Sequence, residues 1–362
     1  YYSNIFLPLS DFTLNYILAS MFSVILAWLF FVFWTGRLNI DFCRSRSLHE
    51  FSNSTNRKIK WLVFLWGMLS IVEVAYFRDV PVLSLFGVSS ISYLDYGIPS
   101  FHGFLNALML SVAMYVLYEF LRTGKKKYLF YYGLLALMPV ISLSRGALTS
   151  MLIQGLFVVL VFRGVNARFF LKVVVFLILF AFVFGWLGEH RTAGLGDQVY
   201  TVFNVSDNYP SWLPKSFLWV YMYLTSSLNN IENIIHSYPL INFDPYSALY
   251  GLLPSFIRDS LTQPVNVELV VAAFNVYSFM PNYLSAFGVY GSLLFYFLAT
   301  LVPMYVFYKY IKSRSLDYGF ILVIFLHSIA LSVFSDFFAI QVYLFQMILQ
   351  FFIFNETKLI KR

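Results

Sequence analysis

The sequence is poor in cysteine and in charge, and each shortage excludes a class of protein. Its single cysteine, Cys43, has no second thiol to pair with, which excludes a disulfide or a thiolate metal site within the chain. Charged residues form 11% of the 362 residues, whereas soluble domains carry about 25%. A Gly-rich phosphate loop, a His-Glu-x-x-His zinc box and a Gly-x-Ser-x-Gly elbow are also missing. Soluble nucleotide chemistry and zinc hydrolysis therefore have no support.

Hydrophobic residues, by contrast, form 60% of the chain and fall into long runs. A membrane-spanning helix needs about 20 mostly apolar residues. Nine runs qualify, although several are short, at residues 14–34, 61–77, 105–120, 128–143, 147–162, 169–187, 284–308, 318–334 and 337–354. We predict an all-α polytopic integral membrane protein with about nine or more transmembrane helices. Since the chain begins with Tyr1 and shows no cleavable signal peptide, we also expect a preceding segment.

Lys and Arg residues are divided unevenly between the two sides of this helix arrangement. If the nine helices alternate in direction, one side receives 19 of the 24 basic residues. The other side keeps Arg78, Arg145, Arg191, Lys215 and Arg258. Because basic residues accumulate on the cytoplasmic side, the C-terminus is predicted to be cytoplasmic and residue 1 to be outside. The net charge of +7 is then an inner-leaflet signature, with membrane lipids and not nucleic acid as the partner.

The predicted helices divide the chain into three parts. Residues 1–187 hold six helices with an outer loop near 78–102, residues 188–283 form a large outer loop, and residues 284–362 hold three helices and a cytoplasmic tail. Within the large loop, residues 216–238 and residues 246–261, broken by Pro254, are predicted as interfacial or re-entrant helices. A membrane span at 216–238 is rejected because it would move the basic residues after Tyr308 to the wrong side.

Three outer arginines, Arg145, Arg191 and Arg258, are candidates for binding a lipid-linked phosphate. Arg presents a planar fork of donors that matches phosphate oxygens. Arg145 opens a predicted helix, where unpaired backbone N–H groups add positive potential. The alternative for each arginine is a structural one, in which the side chain reaches the membrane interface or ties a loop to backbone carbonyls.

Candidates for a general base on the outer side are His102, Glu189, His190, Asp197, His236 and Glu268. His190 adjoins Arg191, which places a candidate base beside a candidate phosphate-binding residue. Glu73 and Asp336 are ionisable residues near the outer ends of spans, where such residues are often functional. For His327, deeper in a span, we expect a structural hydrogen bond to a neighbouring helix.

A polar and aromatic cluster, Asn275, Tyr277, Asn282 and Tyr283, precedes the seventh predicted span. Asn amides and Tyr hydroxyls suit the recognition of sugar hydroxyls, and aromatic faces suit stacking. The alternative is an aromatic belt at the membrane surface, with Gly288 and Gly291 permitting close helix packing.

Two stretches resemble the Wzy O-antigen polymerases, which polymerise oligosaccharide repeat units at bacterial inner membranes. They are "SLSRGALTSMLIQ" at residues 142–154 and the region 274–291, which contains Asn-x-Tyr-x-Phe and "YLSAFGVYG". The many-helix architecture with a large periplasmic loop is also similar.

The resemblance implies a metal-independent glycosyltransferase of the inner membrane that acts at the periplasmic face without a cofactor. Donor and acceptor would be undecaprenyl-pyrophosphate-linked oligosaccharides, and a chain-length regulator protein is a further candidate partner. Arg145, Arg191 and Arg258 would bind the pyrophosphate, Asn275, Tyr277 and Tyr283 the acceptor sugar, and His190 or Glu189 would take its hydroxyl proton.

Two other functions remain open. An O-antigen ligase shares the many-helix body and large loop but transfers a finished glycan to a lipid A core. A flippase or transporter of lipid-linked oligosaccharide would show polar residues through many spans and often an internal repeat. Here no repeat is evident and the polar candidates gather on one side, which favours an enzyme.

Overall fold

The computed structural model describes residues 3–6, 8–36, 48–88, 91, 95–164, 171–175, 177–179, 181–182, 185, 204–210, 212–261, 269–270 and 276–354. Within these residues the protein is all-α, apart from an isolated bridge between Ser3 and Val205. The helices are α1 (Asp11–Thr35), α2 (Asn53–Phe77), α3 (Phe101–Thr123), α4 (Lys126–Ile141), α5 (Arg145–Arg163), α6 (Lys215–Ile235), α7 (Pro245–Leu249), α8 (Ser255–Leu261), α9 (Met280–Ser313), α10 (Leu316–Leu331) and α11 (Gln341–Phe354). Two 3-10 helices cover Pro81–Phe86 and Tyr250–Leu252.

Eight of the nine predicted spans coincide with helices, but fewer than nine are long enough to cross a membrane. Among the described residues, five helices reach that length and apolarity, namely α1, α2, α3, α5 and α9. Helices α4, α10 and α11 have 16, 16 and 14 residues, short of the ~20 that a span needs. Of the predicted span at 169–187, residues 171–175, 177–179, 181–182 and 185 are described, and they are helical.

The distribution of buried surface is that of a membrane bundle. Helix α3 lies at the centre. Of its most apolar 18-residue stretch, 72% is buried, whereas the corresponding share is 17% in α1 and in α2. It packs against α2, α4, α5 and α11. Helix α1 packs mainly on α9 and leaves large apolar side chains such as Phe33 and Trp34 exposed. Several apolar helices of this kind indicate a multi-pass membrane protein.

Contacts between the connecting segments define two ends of the bundle. At one end, Lys58 Nζ donates to the Phe352 carbonyl at 3.0 Å and Tyr310 Oη to the Val161 carbonyl at 3.0 Å. At the other end, which we call the loop face, lie the described residues of 78–100, 204–279 and 332–340. There Tyr277 N donates to the Phe334 carbonyl at 3.2 Å, and Ser255 N donates to Ser100 Oγ at 2.9 Å. The described parts of the large loop and of the 78–102 loop are therefore in contact.

Hydrogen bonds also cross the apolar core between α3, α5 and α11. Gln154 and Gln346 exchange two side-chain bonds of 2.9 and 2.8 Å, and Tyr115 Oη donates to Gln350 at 2.6 Å. His327 differs from our expectation. Its ring lies 4.7 Å from the Tyr343 ring, but among the described residues neither ring nitrogen has a hydrogen-bond partner. It packs as an aromatic side chain and does not tie α10 to a neighbouring helix.

Helix α9 is broken eight residues after it begins. Gly288 has φ +69° and ψ −174°, so the backbone leaves the helical conformation there and resumes it at Val289. Residues 239–244 fill the break: Asn242 N and Asp244 N donate to the carbonyls of Phe287 and Ala286 at 3.1 and 2.7 Å. Val289 N and Tyr290 N donate to the carbonyls of Pro239 and Leu240 at 3.2 and 3.0 Å. Backbone groups freed inside a span are thus satisfied by protein, as an apolar surrounding requires.

The start of α1 is attached to α6 through Glu232. Ser10 is the N-cap of α1, and both its backbone N and its Oγ donate to Glu232 Oε2, at 2.9 and 3.0 Å. Partial burial raises the pKa of Glu232, but hydrogen bonds from Thr13, Ser10 and His236 outweigh that effect and lower the pKa below its ordinary value of 4.5.

We expect Glu232→Gln to lower the free energy of unfolding by about 1.5–3 kcal/mol near neutral pH, since it weakens bonds made to a charged group. A carboxylate whose pKa is lower in the folded state stabilises that state at pH values above its unfolded-state pKa. This stabilisation is lost as the pH falls through the folded-state pKa. The difference in the free energy of unfolding between the wild type and Glu232→Gln should therefore decrease as the pH is lowered. Unfolding in detergent micelles from pH 7 to pH 4 measures it, with Glu50→Gln, at an exposed carboxylate, as the control. A gap independent of pH would contradict the assignment.

Candidate functional site

The structure describes four of the eight residues predicted from the sequence to form a site. Arg145, Arg258, Tyr277 and Tyr283 are described, whereas Glu189, His190, Arg191 and Asn275 lie outside the described residues. Arg145 is the first residue of α5, as predicted, and Ser144 caps that helix by accepting from Ala147 N at 3.4 Å. Since α5 begins near α11, where Ser150 bonds Tyr343, Arg145 stands at the loop face.

An acid and a histidine meet at the loop face between the end of α2 and the start of α3. Glu73 is fully buried, and His102 Nδ1 lies 3.0 and 2.9 Å from its two carboxylate oxygens. Ile98 N donates to the same carboxylate at 3.3 Å. Because a carboxylate only accepts, Nδ1 is the donor, and the neutral ring keeps Nε2 as an acceptor. The His102 side chain retains 26% of its surface exposed, so it can act as an oriented base.

Tyr96 and Gly97 form the wall beside this pair. The Tyr96 ring packs edge-on against His102 at 6.1 Å, and its buried hydroxyl has no hydrogen-bond partner within the described part of the chain. Burial, and secondarily the Glu73 charge, raises the pKa of Tyr96 to about 12. Gly97 has φ +118°, and a Cβ there would lie 2.8 Å from His102 Cγ, so glycine lets the loop close over the imidazole.

Arg258 is brought towards His102 by a contact between the two loops. Ser100 Oγ and Ser255 Oγ are 2.8 Å apart, and Ser255 N donates to Ser100 Oγ at 2.9 Å. Ser255 is the first residue of α8, which carries Arg258 one turn later. The Arg258 guanidinium carbon lies 4.8 Å from the centre of the Tyr250 ring, a cation–π contact.

A buried carboxylate, Asp336, organises the other side of the loop face. Its Oδ1 accepts from Phe338 N and Ala339 N, both at 3.2 Å, and its Oδ2 accepts from Asn282 Nδ2 at 3.0 Å. Tyr283 also hydrogen-bonds this carboxylate. The connection that holds Asp336 is longer than the two residues left between the predicted spans 318–334 and 337–354, because α10 ends at Leu331 and α11 begins only at Gln341.

The two tyrosines predicted to contact a sugar have different surroundings. Tyr283 is buried, with its ring stacked on Phe295 at 4.3 Å and its hydroxyl on Asp336, so neither ring face is open. Tyr277 is only partly buried and lies near both Asp336 and Tyr250. Burial and the Asp336 charge raise the pKa of Tyr277, so it remains a neutral hydroxyl donor. Burial also raises the pKa of Asp336, and its hydrogen bonds offset only part of that rise.

Sequence reasoning named Glu73, His102, Asn282 and Asp336 separately but did not pair them. The Glu73–His102 pair could have been predicted, because the end of one helix lies close to the start of the next when the two are consecutive and antiparallel. No local signal pointed to Tyr96, Ser100, Tyr250 or Ser255. Ser100 and Ser255 meet across 155 residues of sequence, and the contacts of Tyr96 with His102 and of Tyr250 with Arg258 depend on how each loop turns.

The described residues contain no group of three or more His, Cys, Asp or Glu side chains placed to hold a metal ion. No protein-family model, curated protein or solved structure matches the chain. Chemically, the loop face offers a base fixed by a buried acid, two arginines, and neutral hydroxyl and amide donors.

Proposed function

We propose that the protein is an inner-membrane glycosyltransferase that polymerises undecaprenyl-pyrophosphate-linked oligosaccharide repeat units at the periplasmic face. The observation that carries the proposal is the Glu73–His102 pair, an oriented base on the same face as Arg145 and Arg258. A base beside phosphate-binding arginines suits an attack by a sugar hydroxyl on a carbon bonded to pyrophosphate. The similarity of residues 142–154 and 274–291 to Wzy polymerases also supports it.

In the proposed reaction, His102 Nε2 takes the proton of the acceptor hydroxyl as its oxygen attacks the anomeric carbon of the donor. The new glycosidic bond forms while the bond from carbon to pyrophosphate breaks, and the electron pair leaves with undecaprenyl pyrophosphate. Glu73 stabilises the imidazolium, as a buried carboxylate does for a catalytic histidine. Arg145 and Arg258, together with Arg191, neutralise the departing pyrophosphate.

The remaining residues take part by binding and by positioning. Tyr277, with Asn275, donates to the acceptor sugar, and Tyr283 acts through Asp336, since its ring is enclosed. We assign to His102 the role of base that the sequence favoured for His190 or Glu189, because Glu73 holds its imidazole in place.

A gel ladder of surface polysaccharide tests the proposal. A strain without this protein should show only a single repeat unit on core, and the intact gene should restore the ladder. Long polymer that stays lipid-linked in that strain would indicate a ligase instead. Loss of even the single repeat would indicate flipping, and either result would overturn the proposal.

Arg145→Ala is expected to lower polymer formation by about 10²–10³-fold, because a group that stabilises developing charge is removed. Arg145→Lys should restore only part of the activity, since an ammonium cannot bind two phosphate oxygens in the bidentate way of arginine. Arg78→Ala, at an exposed arginine that caps α2, is the matched control. The measurement is the polysaccharide ladder of each variant at equal protein levels. A full ladder from both Arg145 variants would remove Arg145 from the site.

A further inference from the structure

The segment that fills the break in α9 carries an exposed apolar surface. Residues 239–243 have the sequence Pro-Leu-Ile-Asn-Phe and contain no charged group. Ile241 and Phe243 are 75% and 83% exposed, and Leu240 is exposed as well. Large apolar side chains that are exposed side by side mark a surface that contacts protein or lipid. We call Leu240, Ile241 and Phe243 the apolar tip.

Hydrogen bonds hold the apolar tip against α9 at the break. Tyr290 N donates to the Leu240 carbonyl at 3.0 Å, and Asn242 Nδ2 donates to the Ser285 carbonyl at 2.6 Å. Ile241 stands between these two anchored residues, so it lies beside the first turn of the helix that follows the break. The position of that turn along the bundle is therefore also the position of the apolar tip.

This turn of α9 lies at the edge of the apolar layer of the bundle. Residues 289–308, between the break and Lys309, are about 20 consecutive helical residues without a charge. At about 1.5 Å per residue they extend ~30 Å, which is the thickness of the hydrocarbon core of a bilayer. Lys309 and Lys312 mark one boundary of that core, as basic residues commonly do, so the break lies at the other boundary.

The apolar tip also continues the side of α9 that faces lipid. Tyr290, Leu294 and Leu298 are spaced four residues apart, which places them on one side of the helix, and all three are exposed. An exposed apolar side of a membrane-spanning helix contacts lipid chains. Because Tyr290 begins this stripe and its backbone bonds Leu240, the stripe and the apolar tip form one surface. The lipid that covers the stripe therefore reaches the apolar tip.

We propose that the apolar tip inserts into the leaflet on the loop-face side, at the boundary between lipid headgroups and acyl chains. Ile241 and Phe243 enter the acyl region to a depth of about 5–10 Å, as the apolar side of an interfacial segment does. The inference rests on the multi-pass architecture and not on the proposed function. Its consequence is that lipid, through residues 239–244, helps to hold the first part of α9, which carries two partners of Asp336.

Spin labels measure the depth of the apolar tip in nanodiscs of phosphatidylethanolamine and phosphatidylglycerol. With Cys43→Ser removing the single native thiol, Ile241→Cys and Phe243→Cys each carry one nitroxide. Oxygen concentrates among acyl chains and a nickel chelate concentrates in water, so the ratio of nitroxide collisions with the two reagents gives the depth. Leu298→Cys, on the lipid-facing stripe, is the bilayer control, and Glu50→Cys, at an exposed carboxylate, is the water control.

We expect both tip labels to give a several-fold higher ratio of oxygen to nickel collisions than the water control, at a depth of about 5–10 Å. Labels that behave like Glu50→Cys would place the apolar tip in water and overturn the proposal. Labels that neither reagent reaches would overturn it as well, since another segment or a second copy of the chain would then cover the tip. Because Ile241 and Phe243 are exposed, a label at either position displaces little packing.

Discussion

Replacing His102 by Asn is expected to abolish polymer formation while leaving the amount of protein in the membrane unchanged. An asparagine amide nitrogen takes the position of Nδ1 and can still donate to Glu73, so the buried carboxylate keeps a partner, but the amide cannot take up a proton. General bases contribute about 10²–10⁴-fold to rates, and a loss of this size is expected here. His102→Ala should lose activity equally and should also lower stability, because a buried carboxylate would lose its main partner.

Two variants of neighbouring residues distinguish catalysis from a structural role. Glu73→Gln keeps the shape of the pair but removes the charge that stabilises the imidazolium, so it should be impaired despite normal protein levels. Tyr96→Phe removes only a hydroxyl that has no hydrogen-bond partner among the described residues, so the ladder should be unchanged. Polymer yield per amount of protein is the measurement. A normal ladder from His102→Asn would return the role of base to His190 or Glu189, which the resemblance implied.

The helices themselves could be predicted because hydropathy is a local property. Predicted spans at 14–34 and 147–162 fall within α1 and α5. The lengths of the helices were harder to predict, since each depends on the residue at which the helix ends and the loop begins. The Asp336 connection extends to nine residues because backbone N–H groups of Phe338 and Ala339 turn inward to the carboxylate.

The site could be predicted only as a set of residue types on one face. Whether Glu73 reaches His102 depends on how α2 and α3 pack together, and whether Ser100 reaches Ser255 depends on how two distant loops pack together. No interaction was predicted for the amides of Gln154, Gln346 and Gln350, because a single amide within an apolar run is commonly tolerated. In the structure Gln154 and Gln346 bond each other across helices and Gln350 accepts from Tyr115, which is how polar side chains are satisfied within a membrane.

Gly288 shows the same limit, because the sequence suggested close helix packing there and the structure shows a broken helix. We expect Gly288→Ala to lower the free energy of unfolding by at least about 3 kcal/mol. Its φ and ψ lie in a region open essentially to glycine alone, at a cost of about 1–3 kcal/mol for other residues. An added Cβ would also lie 2.7 Å from the Pro239 carbonyl oxygen and 2.8 Å from Asn242 N.

Displacing residues 239–244 would add to that loss, since each backbone hydrogen bond to α9 contributes about 1 kcal/mol. It would also change the direction of the first part of α9, which carries Asn282 and Tyr283 to Asp336. Polymer formation should therefore fall together with stability. Gly133→Ala is the control, because a Cβ on that α4 glycine meets no atom within 4 Å. Thermal unfolding in detergent compares the two variants. If Gly288→Ala unfolded at the same temperature as Gly133→Ala, residues 239–244 would not be needed to hold the break in α9. The hydrogen-bonded group of Asp336, Asn282 and Tyr283 would then have to be positioned by α10 and α11 alone.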